Sequence, residues 1–221
     1  MVKLFENIFR SVNIALVNEL AIMCRRLGLS VWEIIDAAAT KPFGFMPFYP
    51  GPGIGGHCIA VDPFYLSWKM RLNGYEARFI HLADEVNASM PAYVVDLVAD
   101  ALNRRQRCLN GAKVLVLGVA YKRGVADTRE SPALDIVARL QDKGADVSYA
   151  DPYVPSITID GHVLKAVELS DEVLAAADCV VVATDHPDVD YARIVDLAPL
   201  VVDTRSATHG MVAPPGRIVG F

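Results

Sequence analysis

Cys58 occupies the part of the sequence where residue types and spacing best suggest chemistry. It follows a glycine-rich segment, residues 51–56, whose flexible backbone could approach a ligand closely. Asp62 comes four positions after the cysteine, so a nucleophilic thiolate could work beside a carboxylate that activates water. Free cysteine is more often a small buried hydrophobe, and the local sequence leaves both interpretations open.

The same glycines formally match the GxGxxG pattern of dinucleotide-binding proteins. That pattern binds a dinucleotide where it follows a strand and opens a helix. Here it follows residues 45–50, which include Pro47 and Pro50, and a central parallel strand does not tolerate proline. We therefore reject the dinucleotide interpretation. Two others remain: a structural loop, or a backbone that approaches a ligand beside a functional cysteine.

A polar stripe runs along the first predicted helix. Lys3, Asn7, Ser11 and Asn18 are spaced by four, four and seven residues, so they share one helical face. The stripe could be the solvated edge of an otherwise apolar helix. It could also present buried cationic and amide donors that stabilise an oxyanion, and the spacing does not decide between these interpretations.

The first 40 residues are predicted to be helical. Apolar residues recur there at steps of three and four, namely Phe5, Ile8, Val12, Leu16 and Leu20. Gly28 is expected to end the first helix. Ser30 is expected to begin the next one, with Glu33 completing a capping box. Residues 41–56 are rich in proline, glycine and aromatic residues, which predicts an ordered loop.

A second helical block is predicted for residues 63–107. Within it, residues 83–102 lack a strong helix breaker except Pro91, where a helix could start or bend. Such a helix could join two domains. Asn110 and Gly111 mark the turn into a different pattern.

From residue 112 onward, short apolar runs alternate with helical patterns. The apolar runs cover residues 113–118, 146–150, 179–183, 200–203 and 217–220, and the helical patterns cover residues 131–143 and 171–177. Strands that alternate with helices predict a doubly wound parallel sheet. The expected fold class is therefore α/β, with an all-helical part preceding the sheet.

Composition narrows the classes of partner. A formal net charge of −5 with scattered basic residues gives no indication of nucleic-acid or anionic-membrane binding. Hydrophobic residues make up 53% of the chain, and the surplus apolar surface predicts an oligomer. The cysteines form no CxxC pair and the histidines are scattered, so no metal site is expected and a reduced cytoplasm fits best.

Several ordered segments together resemble the UDP-glucose/GDP-mannose dehydrogenase family. They begin with Lys-Leu-Phe-Glu-Asn at residues 3–7 and include the long glycine-cysteine block Pro-Gly-Pro-Gly-Ile-Gly-Gly-His-Cys-Ile-Ala-Val-Asp-Pro at 50–63. Further matching segments are residues 13–20, 118–122, 127–131, 151–153 and 203–205. The resemblance covers essentially the whole chain.

That resemblance implies a two-step oxidation that uses NAD. The C6 alcohol of a nucleotide sugar becomes an aldehyde, the Cys58 thiolate adds to it, and oxidation of the thiohemiacetal gives a thioester that water hydrolyses to the uronic acid. Lys3 and Asn7 would stabilise the oxyanion at C6, and Lys3 would favour the thiolate. Asp62 would help to activate the water.

The resemblance also implies substrate and cofactor contacts. Four glycines would let the backbone lie against the sugar diphosphate: Gly51, Gly53, Gly55 and Gly56. Three side chains of the second domain would bind the nucleotide sugar: Tyr121, Lys122 and Arg129. Taken alone, Arg129 could equally form a surface ion pair with Asp127 or Glu130. Arg205 matches an arginine that reaches toward the cofactor.

On this resemblance, residues 1–110 form a helical central domain that makes a homodimer, and residues 111–221 form a Rossmann-like UDP-sugar-binding domain. Val61 stands where UDP-glucose dehydrogenases usually carry lysine, so the sequence is more similar to members acting on UDP-N-acetylmannosamine or UDP-N-acetylglucosamine. The family's N-terminal NAD-binding domain is not in this sequence. The chain alone is therefore expected to be inactive, with the NAD site mostly on that domain.

Two alternatives compete with the enzyme interpretation. One is a non-catalytic module that binds a UDP-sugar, and the other is a helical dimerisation fragment whose site has decayed. The presence of Cys58, Lys3, Asn7 and Asp62 favours the enzyme, because a protein that only binds has no need of a thiol and a water-activating carboxylate.

Overall fold

The computed structural model describes residues 1–57, 59 and 61–221, and the chain divides into two compact units. Unit 1 comprises Met1–Met90 together with Phe221, and unit 2 comprises Pro91–Gly220. The α/β fold class expected from the sequence is confirmed, because unit 1 contains helices and unit 2 contains a parallel sheet with its helices.

Unit 1 is built from helices whose ends follow the sequence signals. They are α1 (Val2–Leu27), α2 (Val31–Ala39), α3 (Asp62–Arg71) and the first half of α4 (Arg78–Asn103). Gly28 takes the left-handed conformation that ends α1. Ser30 begins α2, and its hydroxyl accepts a hydrogen bond from the Glu33 amide at 3.3 Å.

Helix α1 packs against α2 and α3. Small buried side chains such as Ala15 and Ala21 let the helices approach closely, and Val31 and Ile35 of α2 are fully covered. The described residues between α2 and α3 form no helix or strand, which agrees with the predicted ordered loop. This loop carries the glycines that precede Cys58.

Helix α4 runs without interruption through Pro91. Its C-terminal half belongs to unit 2, where Val94, Val95, Val98 and Leu102 are fully buried. The division between the two compact units thus falls inside this helix, and the domain boundary after residue 110 stays a prediction.

Unit 2 is organised around a five-stranded parallel sheet in the order β2-β1-β5-β6-β7. Its strands are β1 (Lys113–Leu117), β2 (Asp146–Ala150), β5 (Cys179–Val182), β6 (Val201–Asp203) and β7 (Ile218–Gly220). All neighbouring pairs are parallel, as the alternating pattern predicted. The central strand β5 is buried along its whole length, which explains its uninterrupted apolar sequence.

The connecting elements include three that the sequence patterns did not indicate. Helices α5 (Pro132–Asp142) and α6 (Asp171–Ala176) were expected, whereas α7 (Tyr191–Leu197) and the antiparallel hairpin of β3 (Ser156–Ile159) and β4 (His162–Lys165) were not. The hairpin turns at Asp160-Gly161, and both residues have positive φ. Asp-Gly between two apolar runs is a strong hairpin signal, so this element was predictable.

No helix in the described part of the chain is long and apolar enough to cross a membrane.

Gly118, directly after β1, is required by both conformation and space. Its φ is +77°, and an added Cβ would lie 2.4 Å from the carbonyl oxygen of Thr184. We expect Gly118→Ala to lower the free energy of unfolding by about 2–5 kcal/mol, from left-handed strain plus overpacking. Gly161→Ala is the matched control, because Gly161 has a similar φ of +81° with open space around it.

Urea denaturation followed by circular dichroism measures both effects. The control should lose about 1–2 kcal/mol, from the conformational strain alone. Equal losses for the two variants would contradict the proposed clash with Thr184.

Candidate functional site

Three of the predicted catalytic side chains meet in unit 1. Asp62, the first residue of α3, accepts two hydrogen bonds on the same carboxylate oxygen, Oδ2. One comes from the Lys3 ammonium at 2.9 Å and the other from the Asn7 amide at 2.8 Å. Residues far apart in sequence are thus brought together where α1 packs on α3.

The Lys3 hydrogen bond holds the pKa of Asp62 below its usual value, and the Asn7 hydrogen bond acts in the same direction. Partial burial opposes this shift without outweighing it. Asp62 is therefore ionised at neutral pH. A carboxylate with a lowered pKa is a weak base. Asp62 is therefore better suited to orienting a water molecule and holding Lys3 and Asn7 in place than to removing a proton.

The polar stripe on α1 is divided between surface and interior. The Lys3 side chain is 68% exposed, whereas Asn7 and Asn18 are buried at 1% and 0% exposure. Arg10 donates a hydrogen bond to the Asn7 side-chain oxygen, which leaves the Asn7 amide group directed at Asp62. Each interpretation of the stripe thus holds for part of it: Asn7 and Asn18 are buried amide donors, whereas Lys3 lies at a solvated edge.

Asn18 anchors the start of the glycine-rich loop. Its side-chain oxygen accepts from the Gly51 amide at 2.9 Å, and its NH₂ group donates to Asn87 of α4 at 2.9 Å. Asn87 in turn donates to the backbone oxygen of Ser11 at 3.2 Å. This buried network ties α1, α4 and the loop together. Asn87 was not identified from the sequence, because nothing near it in the chain indicates its partners.

The glycine-rich loop adopts backbone conformations that favour glycine. Gly53 and Gly56 have φ values of +137° and +88°. Gly55 lies in the same loop and is half-buried. Among the residues that the structure describes, no strand precedes this loop and no helix starts within it. Cys58, the predicted nucleophile, lies outside the described residues.

In unit 2, two predicted substrate-binding residues lie on the loop that follows β1. The Tyr121 amide donates to the backbone oxygen of Asp127 at 2.9 Å, which closes the loop on itself. The Lys122 ammonium lies 5.4 Å from the centre of the Tyr121 ring, within cation–π range. Lys122 is exposed and Tyr121 is half-buried, so this loop presents a cation and an aromatic face at the surface of the unit.

Arg129, the third predicted substrate-binding residue, is paired with Asp127. Its guanidinium donates through Nε and Nη2, and the Nη2 contact to the carboxylate measures 2.7 Å. These hydrogen bonds lower the pKa of Asp127 to about 2. Of the two partners suggested by the sequence, the surface ion pair with Asp127 is therefore present. The substrate-binding role of Arg129 remains a prediction.

Arg205, the predicted cofactor-side residue, follows β6. Its guanidinium Nε donates to Asp185 at 3.1 Å, and its amide donates to Asp203 at 2.9 Å. Arg123 approaches the other oxygen of Asp185 at 3.6 Å. Asp185 is thus shared by two arginines beyond the carboxyl ends of β5 and β6.

A buried Asp151–His186 pair was missed at the sequence level. The matched segment 151–153 by itself indicates no role for Asp151, and His186 is one of the scattered histidines. His186 Nε2 lies 3.0 Å from Asp151 Oδ2, and neither side chain is exposed. The position of Asp151 immediately after β2 could have drawn attention to it, because functional groups collect at the carboxyl ends of parallel strands.

Within the described residues, no three of the His, Cys, Asp and Glu side chains stand together in a way that could hold a metal ion. Cys24 and Cys179 are buried and Cys108 is exposed. Burial raises the pKa of the Cys179 thiol to about 12, which makes it unreactive.

Curated proteins with similar sequences are nucleotide-sugar dehydrogenases. The UDP-N-acetyl-D-mannosamine dehydrogenase of Methanococcus maripaludis is 40% identical over 186 residues, which is 84% of this chain and 40% of that protein. The UDP-N-acetyl-D-glucosamine 6-dehydrogenase of Pseudomonas aeruginosa is 41% identical over 152 residues, 69% of this chain and 36% of that protein. The chain thus spans less than half the length of these relatives.

A similar fold is found in the solved structure of the UDP-D-ManNAc dehydrogenase from Pyrococcus horikoshii. It matches with a TM-score of 0.85 and 34% identity, over 100% of this chain and 50% of that one.

Two family models match the chain in order. Residues 1–89 match the central domain of the UDP-glucose/GDP-mannose dehydrogenase family, and residues 115–210 match its UDP-binding domain. Because these two matches cover most of the chain, it belongs to the UDP-glucose/GDP-mannose dehydrogenase family.

Proposed function

We propose that this chain is the thiol-bearing and UDP-binding portion of an enzyme that oxidises C6 of a UDP-N-acetylhexosamine to a carboxylate. The observation that carries the proposal is the meeting of Lys3 and Asn7 on Asp62, in a unit whose buried Asn18 fixes the glycine-rich loop before Cys58. A protein that only binds a sugar nucleotide does not need this combination of ammonium, amide and carboxylate.

The proposed substrate is UDP-N-acetylmannosamine or UDP-N-acetylglucosamine. Val61 supports this choice, because it replaces the lysine that is usual in UDP-glucose dehydrogenases. The names of the relatives from Methanococcus maripaludis and Pseudomonas aeruginosa support it as well.

In the proposed chemistry the Cys58 thiolate adds to the C6 aldehyde. A carbon–sulfur bond forms, and the carbonyl electron pair moves onto oxygen. Lys3 and Asn7 stabilise the resulting oxyanion through their N–H donors. After oxidation to the thioester, a water oriented by Asp62 attacks the carbonyl carbon. The carbon–sulfur bond then breaks with its electron pair on the Cys58 sulfur, the protons of the water pass to solvent, and the uronate forms.

NAD is the proposed hydride acceptor, yet the described residues do not offer it a fitting site. The described residues before the glycine-rich loop contain no strand that could lead into a dinucleotide-binding turn. After β1, where a dinucleotide-binding sheet holds the pyrophosphate, the amides of Val119 and Ala120 already donate to Asp151. We therefore propose that NAD binds to residues other than those that the structure describes. The proposed role of Arg205 toward the cofactor would complement such a site.

We also propose that the chain forms a homodimer through unit 1. Large apolar side chains are exposed along α1 and α3, among them Phe5 at 66%, Tyr65 at 64% and Trp68 at 62%. Val61, Phe64, Tyr65 and Trp68 line one continuous shallow apolar depression. A second copy of the chain would cover this surface.

Nucleotide binding tests the UDP-binding assignment. The chain should bind UDP and UDP-N-acetylhexosamines in isothermal titration calorimetry. Arg129→Gln should weaken binding about tenfold or more, because it removes charge-assisted hydrogen bonds to the diphosphate. Arg139→Gln is the matched control, since Arg139 also pairs with an aspartate in the same unit, Asp135 at 3.0 Å.

Unchanged affinity in Arg129→Gln, or an equal loss in the control, would remove Arg129 from the binding site. A turnover assay with NAD and a panel of UDP-sugars, on this chain and on a version extended at its amino terminus, tests the activity. We expect NADH formation from the extended version only.

The reactivity of the Cys58 thiol tests the catalytic assignment. Near neutral pH, iodoacetamide should alkylate Cys58 faster than it alkylates the other cysteines, and bound UDP-sugar should slow the reaction of Cys58. Lys3→Ala should slow it too, because the ammonium that favours the thiolate is gone, whereas Lys69→Ala should not. Exposed Cys108 serves as an internal reference whose labelling UDP-sugar leaves unchanged.

Mass-spectrometric mapping of the adducts over time follows every thiol at once. Faster labelling of Cys108 than of Cys58, or a Cys58 rate that Lys3→Ala does not alter, would count against the catalytic assignment.

The mass of the chain in solution tests the proposed homodimer. At micromolar concentration, sedimentation velocity should give a species of twice the 24.0-kDa chain mass. Trp68→Glu should weaken the dimer at least about tenfold by placing a charge in an apolar interface. Val212→Glu places the same charge at an exposed apolar position of unit 2 and should have no effect. A wild-type monomer would refute the proposal.

A further inference from the structure

The loop that follows β1 is fixed at its base by side chains from neighbouring strand ends. Asp151 Oδ2 accepts hydrogen bonds from the amides of Val119 at 2.7 Å and Ala120 at 3.2 Å. The Thr184 hydroxyl donates to the Ala120 carbonyl at 2.7 Å. This base is buried, so its backbone groups depend on these partners.

The tip of the same loop is exposed from Lys122 to Gly124 and is tied down at its far end by His186. The Gly124 amide donates to His186 Nδ1 at 3.1 Å. His186 itself is completely buried. The buried ring is therefore one of the groups that hold this loop, together with the Asp127 carbonyl that accepts from the Tyr121 amide and the Asp185 carboxylate that pairs with Arg123.

The two contacts of His186 define its tautomer. A backbone amide can only donate, so Nδ1 must be an unprotonated acceptor toward Gly124. The proton then resides on Nε2, which donates to Asp151 Oδ2 at 3.0 Å. If Nδ1 carried a hydrogen, as in the other tautomer or the doubly protonated ring, that hydrogen would point at the hydrogen of the Gly124 amide, and no hydrogen bond could form.

Asp151 holds this arrangement as an anion. Burial favours its neutral form, but hydrogen bonds from His186 and the amides of Tyr153 and Val119 outweigh that effect and hold its pKa below the usual value. Its second oxygen accepts from the amides of Tyr153 at 2.8 Å and Val154 at 3.1 Å. The carboxylate thus keeps the His186 proton on Nε2 and leaves Nδ1 available for Gly124.

We propose that Asp151 and His186 form a positioning pair, which sets the loop of residues 118–124 so that Tyr121 and Lys122 meet the nucleotide diphosphate. This inference rests on the proposed function, because that function makes the loop a ligand-binding element. Neither residue is a catalytic residue. Asp151 and Thr184 hold the base of the loop, and His186 carries the same constraint to its tip.

Two substitutions of His186 separate its two hydrogen bonds. Asparagine places an oxygen near the Nδ1 position, so His186→Asn can still accept from Gly124 but is too short to reach Asp151. Glutamine places an NH₂ group near the Nε2 position, so His186→Gln can still donate to Asp151 but leaves Gly124 without its acceptor. His209→Gln, at an exposed histidine of the same unit, is the matched control.

Hydrogen exchange on the ¹⁵N-labelled full chain and calorimetric titration with UDP read out the two effects. In His186→Gln we expect the Gly124 amide to exchange about tenfold faster or more, while Val119 and Ala120 stay protected, and UDP affinity to fall about tenfold. His186→Asn should retain Gly124 protection and most of the affinity. The control should match the wild type in both measurements.

Two results would overturn the proposal: unchanged Gly124 exchange in His186→Gln, or faster exchange with unchanged UDP affinity. If the variants fail to fold, the tautomer of His186 in the wild-type chain still tests the proposal. Long-range ¹H–¹⁵N spectra should show a proton on Nε2 and none on Nδ1. The opposite tautomer refutes the pair. A wild-type chain that binds no UDP overturns the proposed function and with it the positioning role, while Gly124 exchange still shows whether the pair holds the loop.

Discussion

Every polar side chain buried in this protein must find its hydrogen-bond partner within the protein, because an unpaired buried polar group costs about 1–3 kcal/mol. Among the described residues that are not exposed, every buried side-chain nitrogen or oxygen has a partner. In unit 1 this constraint joins α1, α4 and the glycine-rich loop through Asn18 and Asn87. The loop is thereby held without a strand or helix of its own.

The same constraint organises the carboxyl edge of the sheet in unit 2. Asp151 follows β2 and Asp203 ends β6, and each accepts several hydrogen bonds from neighbouring loops. Asp203, for example, accepts from the amides of Arg205 and Thr208 at 2.9 and 2.8 Å. Parallel strands all end at this edge, so a few carboxylates there can fix several loops at once. The amides that Asp151 occupies are consequently not available to a pyrophosphate.

Local signals in the sequence were sufficient for most elements of the fold. Gly28 ends α1 and Ser30 begins α2 through hydrogen bonds within one turn of helix. The buried parallel strands can be recognised from their own apolar runs, without knowledge of their neighbours. The hairpin at Asp160-Gly161 also had a local signal. The contacts of Asn87 with Asn18 and of His186 with Gly124 had none, because their partners lie 69 and 62 residues away in the chain. Packing of whole elements creates such pairs, and composition or periodicity does not encode them.

The candidate site residues differ from these buried pairs in how they relate to stability. The side chains of Lys3 and Arg129 are 68% and 66% exposed, and ion pairs of exposed side chains contribute little to folding because water screens them. Their charges are therefore not needed to hold the fold. Four polar side chains are buried instead: Asn7, Asn18, Asp151 and His186. Substituting any of them leaves a buried hydrogen-bonding group without its partner, which lowers stability. An exposed cation supported by a buried polar framework can meet an anionic group at little cost to stability, which would suit the roles proposed for Lys3 and Arg129, each in its own unit.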